Sequence, residues 1–327
     1  MTERTRRIIL GSVRLAIAAA VLAFLATTGR VEWRALRGLR DHWGLTLLAL
    51  ALLCIVFWLV SQRVCLLFRA RGLHLSLYNS LGLSLIANLF ALVLPGGGGD
   101  IVRLYYTAKN AAGRRTEIGT LLLLDRVAGL LALTLFPIIA APLCLPLLRQ
   151  SSVLRALLLL AAVSSLLIVI AIAVSTSRRA RALRGVQWLL RTFPLGGYPA
   201  RMLDTMQVFR HRMGVLAAAV GVSLVAHALS MAIVWLLVAA IQEGRAMQQG
   251  NAVPFLASLG FLANNIPVTP GGLGVGEAAF ESLFRIAGLE GGAEAMLAWR
   301  VLLLALAPAG LWFFVSGRAA GARITAA

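Results

Sequence analysis

Long apolar runs separated by short charged loops constrain this chain more than any other feature of its sequence. A helix needs about 20 apolar residues to cross the hydrocarbon core of a bilayer, and eight runs come near that length. Only 13% of the residues are charged, about half the share found in soluble domains. We therefore predict an all-α polytopic membrane protein, with one integral membrane domain over residues 1–327. The eight runs are residues 8–28, 43–62, 76–94, 118–147, 153–174, 213–241, 252–269 and 293–315.

The distribution of basic residues favours six crossings rather than eight. The chain carries 31 Lys and Arg, and such residues accumulate in the cytoplasmic loops of membrane proteins. If all eight runs crossed, the basic loop 176–212 would lie outside. If residues 76–112 and 252–288 are instead re-entrant hairpins, twenty basic residues lie inside, Arg63 and Arg103 among them, and eight lie outside. The sequence therefore predicts six spanning helices, two re-entrant helical hairpins and two cytoplasmic termini.

The basic stretch 176–212 has two readings at this point. It is either a solvated cytoplasmic loop or an amphipathic helix that lies on an anionic leaflet. The second reading rests on four apolar residues that stand among its arginines. These are Trp188, Leu189, Leu190 and Phe193.

Two distant stretches of the chain resemble each other. Residues 86–100 read IANLFALVLPGGGGD, and residues 262–277 read LANNIPVTPGGLGVGE. Each has Ala-Asn, apolar residues, Pro-Gly-Gly and then one acid, and the Pro-Gly-Gly motifs are 175 positions apart. Arg126 and Arg300 follow at nearly the same offset, so we predict an internal repeat.

The repeat and the predicted crossings together specify an orientation. We place repeat A at about 43–147 and repeat B at about 213–315. The helix before the first hairpin runs inward and the helix before the second runs outward, so the hairpins enter from opposite leaflets. This is an inverted-topology repeat, which in transporters places the binding site near the midplane of the membrane.

The hairpin tips and the charged residues beside them predict the site. Pro and Gly suit a non-helical tip, which must be buried in protein or line a wet cavity. The helix that restarts after the tip offers free N–H groups to an anion. Each charged residue near the centre of a membrane-spanning helix costs roughly 2.5–3.5 kcal/mol, so we expect the charged residues in or beside the spans to have functional roles. The residues that we predict to bind substrate are Asn88, Pro95, Gly96, Gly97, Asp100, Arg103, Asp125, Arg126, Asn264, Asn265, Thr269, Pro270, Gly271, Gly272, Glu277 and Arg300.

Several roles remain open for these charged residues. Asp100 and Glu277 either stabilise the first turns of their helices, neutralise the empty site or carry protons. Arg126 and Arg300 either bind a lipid phosphate, pair with those acids or cap tip carbonyls. Arg103, one turn after Asp100, is a candidate partner for it.

Two neighbouring residues complete this set of expectations. Asp125 is adjacent to Arg126 on one helix, where neighbours do not face each other, so Asp125 is expected to contact another element. Glu281, one turn after Glu277, is expected to share its face.

Motifs for catalysis and cofactor binding are not found in the sequence. The four His and three Cys show no metal-ligand spacing, and there is no phosphate-binding G-x-x-x-x-G-K-[ST] motif. We therefore expect no catalytic residues, no metal and no cofactor. The basic residues stand in short loops between membrane segments, so we expect no nucleic-acid partner either.

Three motifs together resemble a known family. NLFALVLPGGGGDIVRLY, LLLDRVAGLL and NNIPVTPGGLGVGEAAF are similar to those of the lysylphosphatidylglycerol synthase transmembrane region family, the flippase-like domain of the bacterial multiple peptide resistance factor. The run Gly96–Gly99 departs from the family pattern. In the founding proteins a separate soluble domain makes the aminoacylated lipid. This chain ends at Ala327, directly after its last predicted helix, so we expect no such domain.

The resemblance implies a lipid translocase in the bacterial inner membrane. The expected substrate is a phospholipid or a polyprenyl-phosphate-type lipid. Because the chain is strongly basic, we expect an anionic phospholipid, whose headgroup would pass through a polar cavity at the midplane. The alternative is a non-transporting accessory subunit or an integral enzyme of lipid modification. A lipid-modifying enzyme is the expected protein partner.

Overall fold

The described part of the chain is almost entirely helical. The computed structural model describes residues 33–92, 94, 98–109, 113–177, 198–242, 252–265, 272, 274–317 and 325–326. The helices are α1 Trp33–Asp41, α2 Trp43–Arg69, α3 Leu77–Ala91, α4 Gly98–Lys109, α5 Arg115–Ala140, α6 Leu145–Gln150, α7 Ser152–Thr176, α8 Tyr198–Val208, α9 Met213–Ile241, α10 Val253–Asn264, α11 Val275–Ile286, α12 Gly292–Ala305 and α13 Ala307–Ser316. The strands β1 Leu73–His74 and β2 Thr325–Ala326 pair antiparallel.

Short 3₁₀ turns and side-chain caps explain several of these boundaries. The turns Ala141–Cys144 and Phe209–Arg212 join α5 to α6 and α8 to α9. Ser76 precedes α3, and its hydroxyl accepts a hydrogen bond from the Asn79 N–H at 3.3 Å. Such a cap satisfies a backbone donor that has no partner within the helix.

Five helical segments are long and apolar enough to cross a membrane. They match five of the six predicted spans, and the predicted span 8–28 lies outside the described residues. The protein is therefore a multi-pass membrane protein, although the count of six remains a prediction. The five segments are Trp43–Arg69, Arg115–Gln150, Ser152–Thr176, Arg201–Ile241 and Gly292–Ser316.

Two further apolar helices are too short to cross. Helix α3 has 15 residues and α10 has 12, which correspond to about 22 Å and 18 Å against a hydrocarbon core of about 30 Å. A second short helix packs against each of them, α4 against α3 and α11 against α10. The regions 76–112 and 252–288 thus each contain two packed short helices, as a hairpin requires. Re-entry into the membrane stays a prediction.

The outer surface and the core are both apolar, as expected for a protein surrounded by lipid. Helix α7 exposes Leu159, Leu160, Leu166 and Leu167. One core cluster packs α10 and α11 against α5 and α9, and a second packs α3 against α2, α12 and α13. Helices α9 and α12 contribute to both clusters, so the two short-helix pairs share part of their packing surroundings.

The described part of the basic stretch 176–212 is helical. Phe209 is fully buried, and the Arg212 guanidinium donates to the Ala70 carbonyl at 2.9 Å. Residues 198–212 therefore pack on the protein rather than forming a solvated loop. The hypothesis of an amphipathic helix depends on four residues that lie outside the described ones. They are Trp188, Leu189, Leu190 and Phe193.

Candidate binding site

A cavity of about 480 Å³ lies between the long helices and the two short-helix pairs. On α2 its lining extends from Leu53 to Arg63, beginning at the middle of that helix. Its size suits a small-molecule or headgroup ligand. Its charged, amide and imidazole lining residues are Arg63, Asn88, Asp100, Arg103, Asp125, Arg126, His227, Asn264, Asn265 and Arg300.

Two ion pairs at this cavity have the same arrangement. Arg126 on α5 contacts Asp100 on α4, with 3.3 Å between Nη1 and Oδ2. Arg300 on α12 contacts Glu277 on α11, with 2.5 Å between Nε and Oε1. In both cases an acid in the first turn of a short helix meets an arginine on the helix that follows. The Asp100–Arg126 side chains are about half exposed, whereas those of Glu277 and Arg300 are largely buried.

Glu277 and Arg300 also satisfy backbone groups around the second turn. The Glu277 carboxylate accepts a hydrogen bond from the Gly274 N–H at 2.8 Å. Arg300 donates from Nη2 to the Gly272 carbonyl at 2.8 Å and to the Asn264 side chain at 3.3 Å. Three of the roles considered for these two residues, helix-start stabilisation, pairing and carbonyl capping, are therefore present together.

Gly272 has no room for a side chain. Its φ is +71°, and a Cβ atom there would lie 2.3 Å from Asn264 Oδ1. Only glycine adopts this conformation at low cost. The glycine thus allows its own carbonyl and the Asn264 amide to approach Arg300 together.

Arg126 connects the two short-helix pairs. Its Nη1 contacts Asp100 of the first pair, and its Nη2 donates to Asn265 Oδ1 of the second at 3.1 Å. The Asn265 amide donates in turn to the Phe261 carbonyl at 2.9 Å. Asn88 donates to the Leu303 carbonyl at 3.1 Å. One exposed guanidinium thus contacts both halves of the cavity wall.

A third charged cluster is more buried than the Asp100–Arg126 pair. Two of its charged residues, Asp125 and Arg103, were among the predicted site residues, and Arg63 was not. Asp125 accepts from Arg63 Nε at 2.6 Å and contacts Arg103 Nη1 at 3.2 Å. Arg63 Nη1 also donates to the Ser223 hydroxyl at 2.6 Å. The expectation that Asp125 contacts other elements is confirmed, because its partners come from α2 and α4.

Two sequence-based assignments are wrong. Arg63 was counted among cytoplasmic loop charges, but α2 continues to Arg69 and buries it. The apolar residues VCLLF that follow Arg63 were the available signal. Arg103 pairs with Asp125 rather than with Asp100. Glu281 shares the α12-facing side of α11 with Glu277, as expected, since it accepts a hydrogen bond from the Ala293 N–H at 3.4 Å while its other oxygen pairs with Arg285.

Most of the predicted site residues converge. Ten of the sixteen are described, nine of them line the cavity, and Glu277 contacts the lining residue Arg300. Ser223 and His227 on α9 also line the cavity, and no sequence motif marked them. The other six predicted residues lie outside the described ones. They are Pro95, Gly96, Gly97, Thr269, Pro270 and Gly271.

The chemistry of this lining suits an anion. A guanidinium presents planar N–H donors whose spacing matches phosphate and carboxylate oxygens, and four such groups face the cavity. Among the described residues, no group of three or more His, Cys, Asp and Glu side chains is placed to hold a metal ion.

Comparison with known proteins gave one match. Residues 11–310 match the model of a family described as "Lysylphosphatidylglycerol synthase TM region". Searches of curated proteins and of solved structures returned no match.

Proposed function

Because the chain belongs to the lysylphosphatidylglycerol synthase TM region family, we propose that it is a lipid translocase. Membership indicates a membrane protein that handles or modifies lipid. The proposed substrate is an anionic phospholipid or a polyprenyl-phosphate-type lipid, which moves between the leaflets of the bacterial inner membrane. Both termini are cytoplasmic in this proposal, and a lipid-modifying enzyme is the proposed partner.

The observation that carries the proposal is a cavity lined by four arginines inside a bundle whose outer surface is apolar. A lipid needs this combination to cross. Its charged headgroup requires a polar path, while its tails stay in contact with the hydrocarbon of the bilayer.

The proposed architecture has six spans and two hairpins that enter from opposite leaflets. Repeat A covers about 43–147 and repeat B about 213–315. The pairs Asp100–Arg126 and Glu277–Arg300 support this arrangement, because each joins equivalent positions of the two similar stretches. The cavity would then open to one leaflet at a time.

The proposed mechanism is an exchange of ion-pair partners. In the empty site, Asp100 and Glu277 neutralise Arg126 and Arg300. An incoming lipid phosphate competes for these guanidinium groups and loosens the contacts that hold the hairpins together. No covalent step is needed, so we propose transport rather than catalysis.

Reconstitution of the purified protein in liposomes with headgroup-labelled lipids tests this proposal. We expect leaflet exchange of labelled phosphatidylglycerol, and we expect both Glu277→Gln and Arg300→Ala to abolish it. The matched control is Arg285→Ala, which removes an exposed arginine of the same helix α11 and should leave exchange intact.

The reconstitution has a clear contrary outcome. If purified protein supports no exchange of any lipid class, translocation is wrong and the accessory or lipid-modifying role is favoured. Exchange that survives in both Glu277→Gln and Arg300→Ala would exclude this site from the path.

A further inference from the structure

The charges that face the cavity are unevenly distributed. Asp100 balances Arg126, and Glu277 balances Arg300. In the third cluster, Asp125 is the one carboxylate in contact with two guanidinium groups, those of Arg63 and Arg103. Within the described ranges, this cluster therefore carries one positive charge that no carboxylate neutralises.

Arg103 is the residue that brings this excess charge to the wall of the cavity. It lines the cavity and is only 8% exposed. Its Nη2 is buried and has no hydrogen-bond partner among the described residues. A buried donor without a partner is costly, and more so when it is charged, so the site is suited to an anionic acceptor.

The neighbouring residues hold this guanidinium in place. Asp125 is 3% exposed, and its two oxygens bind Arg63 and Arg103 separately. Ser223 fixes Arg63 from α9, since its hydroxyl accepts from Arg63 and donates to the Ala219 carbonyl at 2.7 Å. Contacts from four helices thus orient one free donor, which is the property of a built binding site.

We propose that Arg103 Nη2 binds a phosphate oxygen of the ligand, with Arg63, Asp125 and Ser223 as positioning residues. A phosphodiester carries one negative charge, which matches the single uncompensated positive charge of the cluster. The phosphate comes from a phospholipid headgroup or from inorganic phosphate, and the experiment separates the two sources. This inference deepens the proposed function and rests on it only for the identity of the ligand.

The test measures binding to the delipidated full-length protein in detergent by native mass spectrometry. The probes are phosphatidylglycerol, diacylglycerol with the same acyl chains, and inorganic phosphate. We expect preferential binding of phosphatidylglycerol over diacylglycerol, and we expect Arg103→Gln to weaken it about tenfold or more, the effect of losing a charged hydrogen bond. The matched control Arg201→Gln removes an exposed arginine of α8 and should preserve binding.

Thermal stability separates binding from a purely structural role of Arg103. If Arg103 is a binding group, Arg103→Gln removes the excess charge and leaves the Arg63–Asp125 pair, so the ligand-free protein keeps its melting temperature. The stabilisation of the protein by added phosphatidylglycerol is then lost. A large fall in the melting temperature of ligand-free Arg103→Gln would instead assign the residue to the fold and overturn the proposal.

The remaining outcomes are equally specific. Displacement of phosphatidylglycerol by excess inorganic phosphate supports the site and assigns it to the free anion. Unchanged phosphatidylglycerol binding in Arg103→Gln overturns the inference, even if the protein exchanges lipid. Binding that depends on Arg103 without any leaflet exchange supports the inference and contradicts translocation.

Discussion

Asp125 sets the charge distribution of the cavity at the scale of single residues. It lies beside Arg126 in sequence, but its carboxylate faces Arg63 and Arg103 on two other helices. Removing its carboxylate leaves two buried guanidinium groups without a counter-charge, which typically costs more than a buried ion pair contributes when intact. The residue should therefore matter more to folding than the half-exposed Asp100.

Asp125→Asn is expected to destabilise the protein by about 3–5 kcal/mol, because two buried guanidinium groups lose their common counter-charge. Thermal unfolding in detergent, followed by circular dichroism, measures the change. The control Arg285→Ala removes the exposed arginine of a surface pair, an interaction worth about 0–1 kcal/mol. Equal melting temperatures for the two variants would contradict the assigned role of Asp125.

Glycines determine the contacts of the short helices at the scale of elements. Gly99 at the start of α4 lies against Ala87 and Ala91 of α3, and a Cβ there would be 2.2 Å from the Ala87 carbonyl oxygen. In the second pair, the Phe280 ring of α11 occupies the space beside Gly260 of α10. A Cβ atom at Gly260 would lie 2.4 Å from that ring. The two helices of each pair therefore approach closely because these positions lack side chains.

Gly99→Ala is expected to cost about 1–3 kcal/mol, since the added methyl group meets backbone that cannot move aside. The control is Gly221→Ala in α9, where nothing lies within 4 Å of the new Cβ. Alanine has the higher helix propensity, so this control should be neutral or stabilising by up to about 1 kcal/mol. Melting temperatures of the two variants provide the measurement, and the reverse order would refute the close contact of α3 with α4.

Arg126 matters at the scale of the whole molecule because it bridges the two short-helix pairs. Its contacts with Asp100 and Asn265 are exposed, so each is weak and open to competition from solvent and ligand. The buried Glu277–Arg300 pair is better protected. We infer that the two halves of the cavity wall separate at Arg126 when the cavity opens.

A cross-link between the halves tests this separation. In a variant free of native cysteines, Asp100→Cys combined with Asn265→Cys removes both contacts of Arg126, so the exchange of the unreacted double variant is the reference. A short bifunctional thiol reagent that joins the two cysteines should stop this exchange, whereas a monofunctional reagent of the same chemistry should not lower it below the reference. Full exchange in cross-linked protein would show that the halves do not need to part.

The sequence by itself determined the membrane class and marked most of the polar residues that line the candidate cavity. Hydrophobic length fixes where helices cross, since lipid cannot satisfy exposed backbone groups, and five described helices agree with the predicted spans. The repeated glycine-rich motifs and the charges beside them marked nine residues that do line the cavity. Composition and local pattern were sufficient for these conclusions because they depend on each segment alone.

Only the tertiary structure decided which charges are partners. Arg63, Arg103 and Asp125 lie on three different helices, and nothing in their local sequence specifies which side chains face one another. Sequence neighbours suggested Asp100 for Arg103, but the packing of α4 against α5 turns that arginine towards Asp125. Pairing depends on how helices rotate and approach, and that is set by the packing of the whole bundle rather than by any one segment.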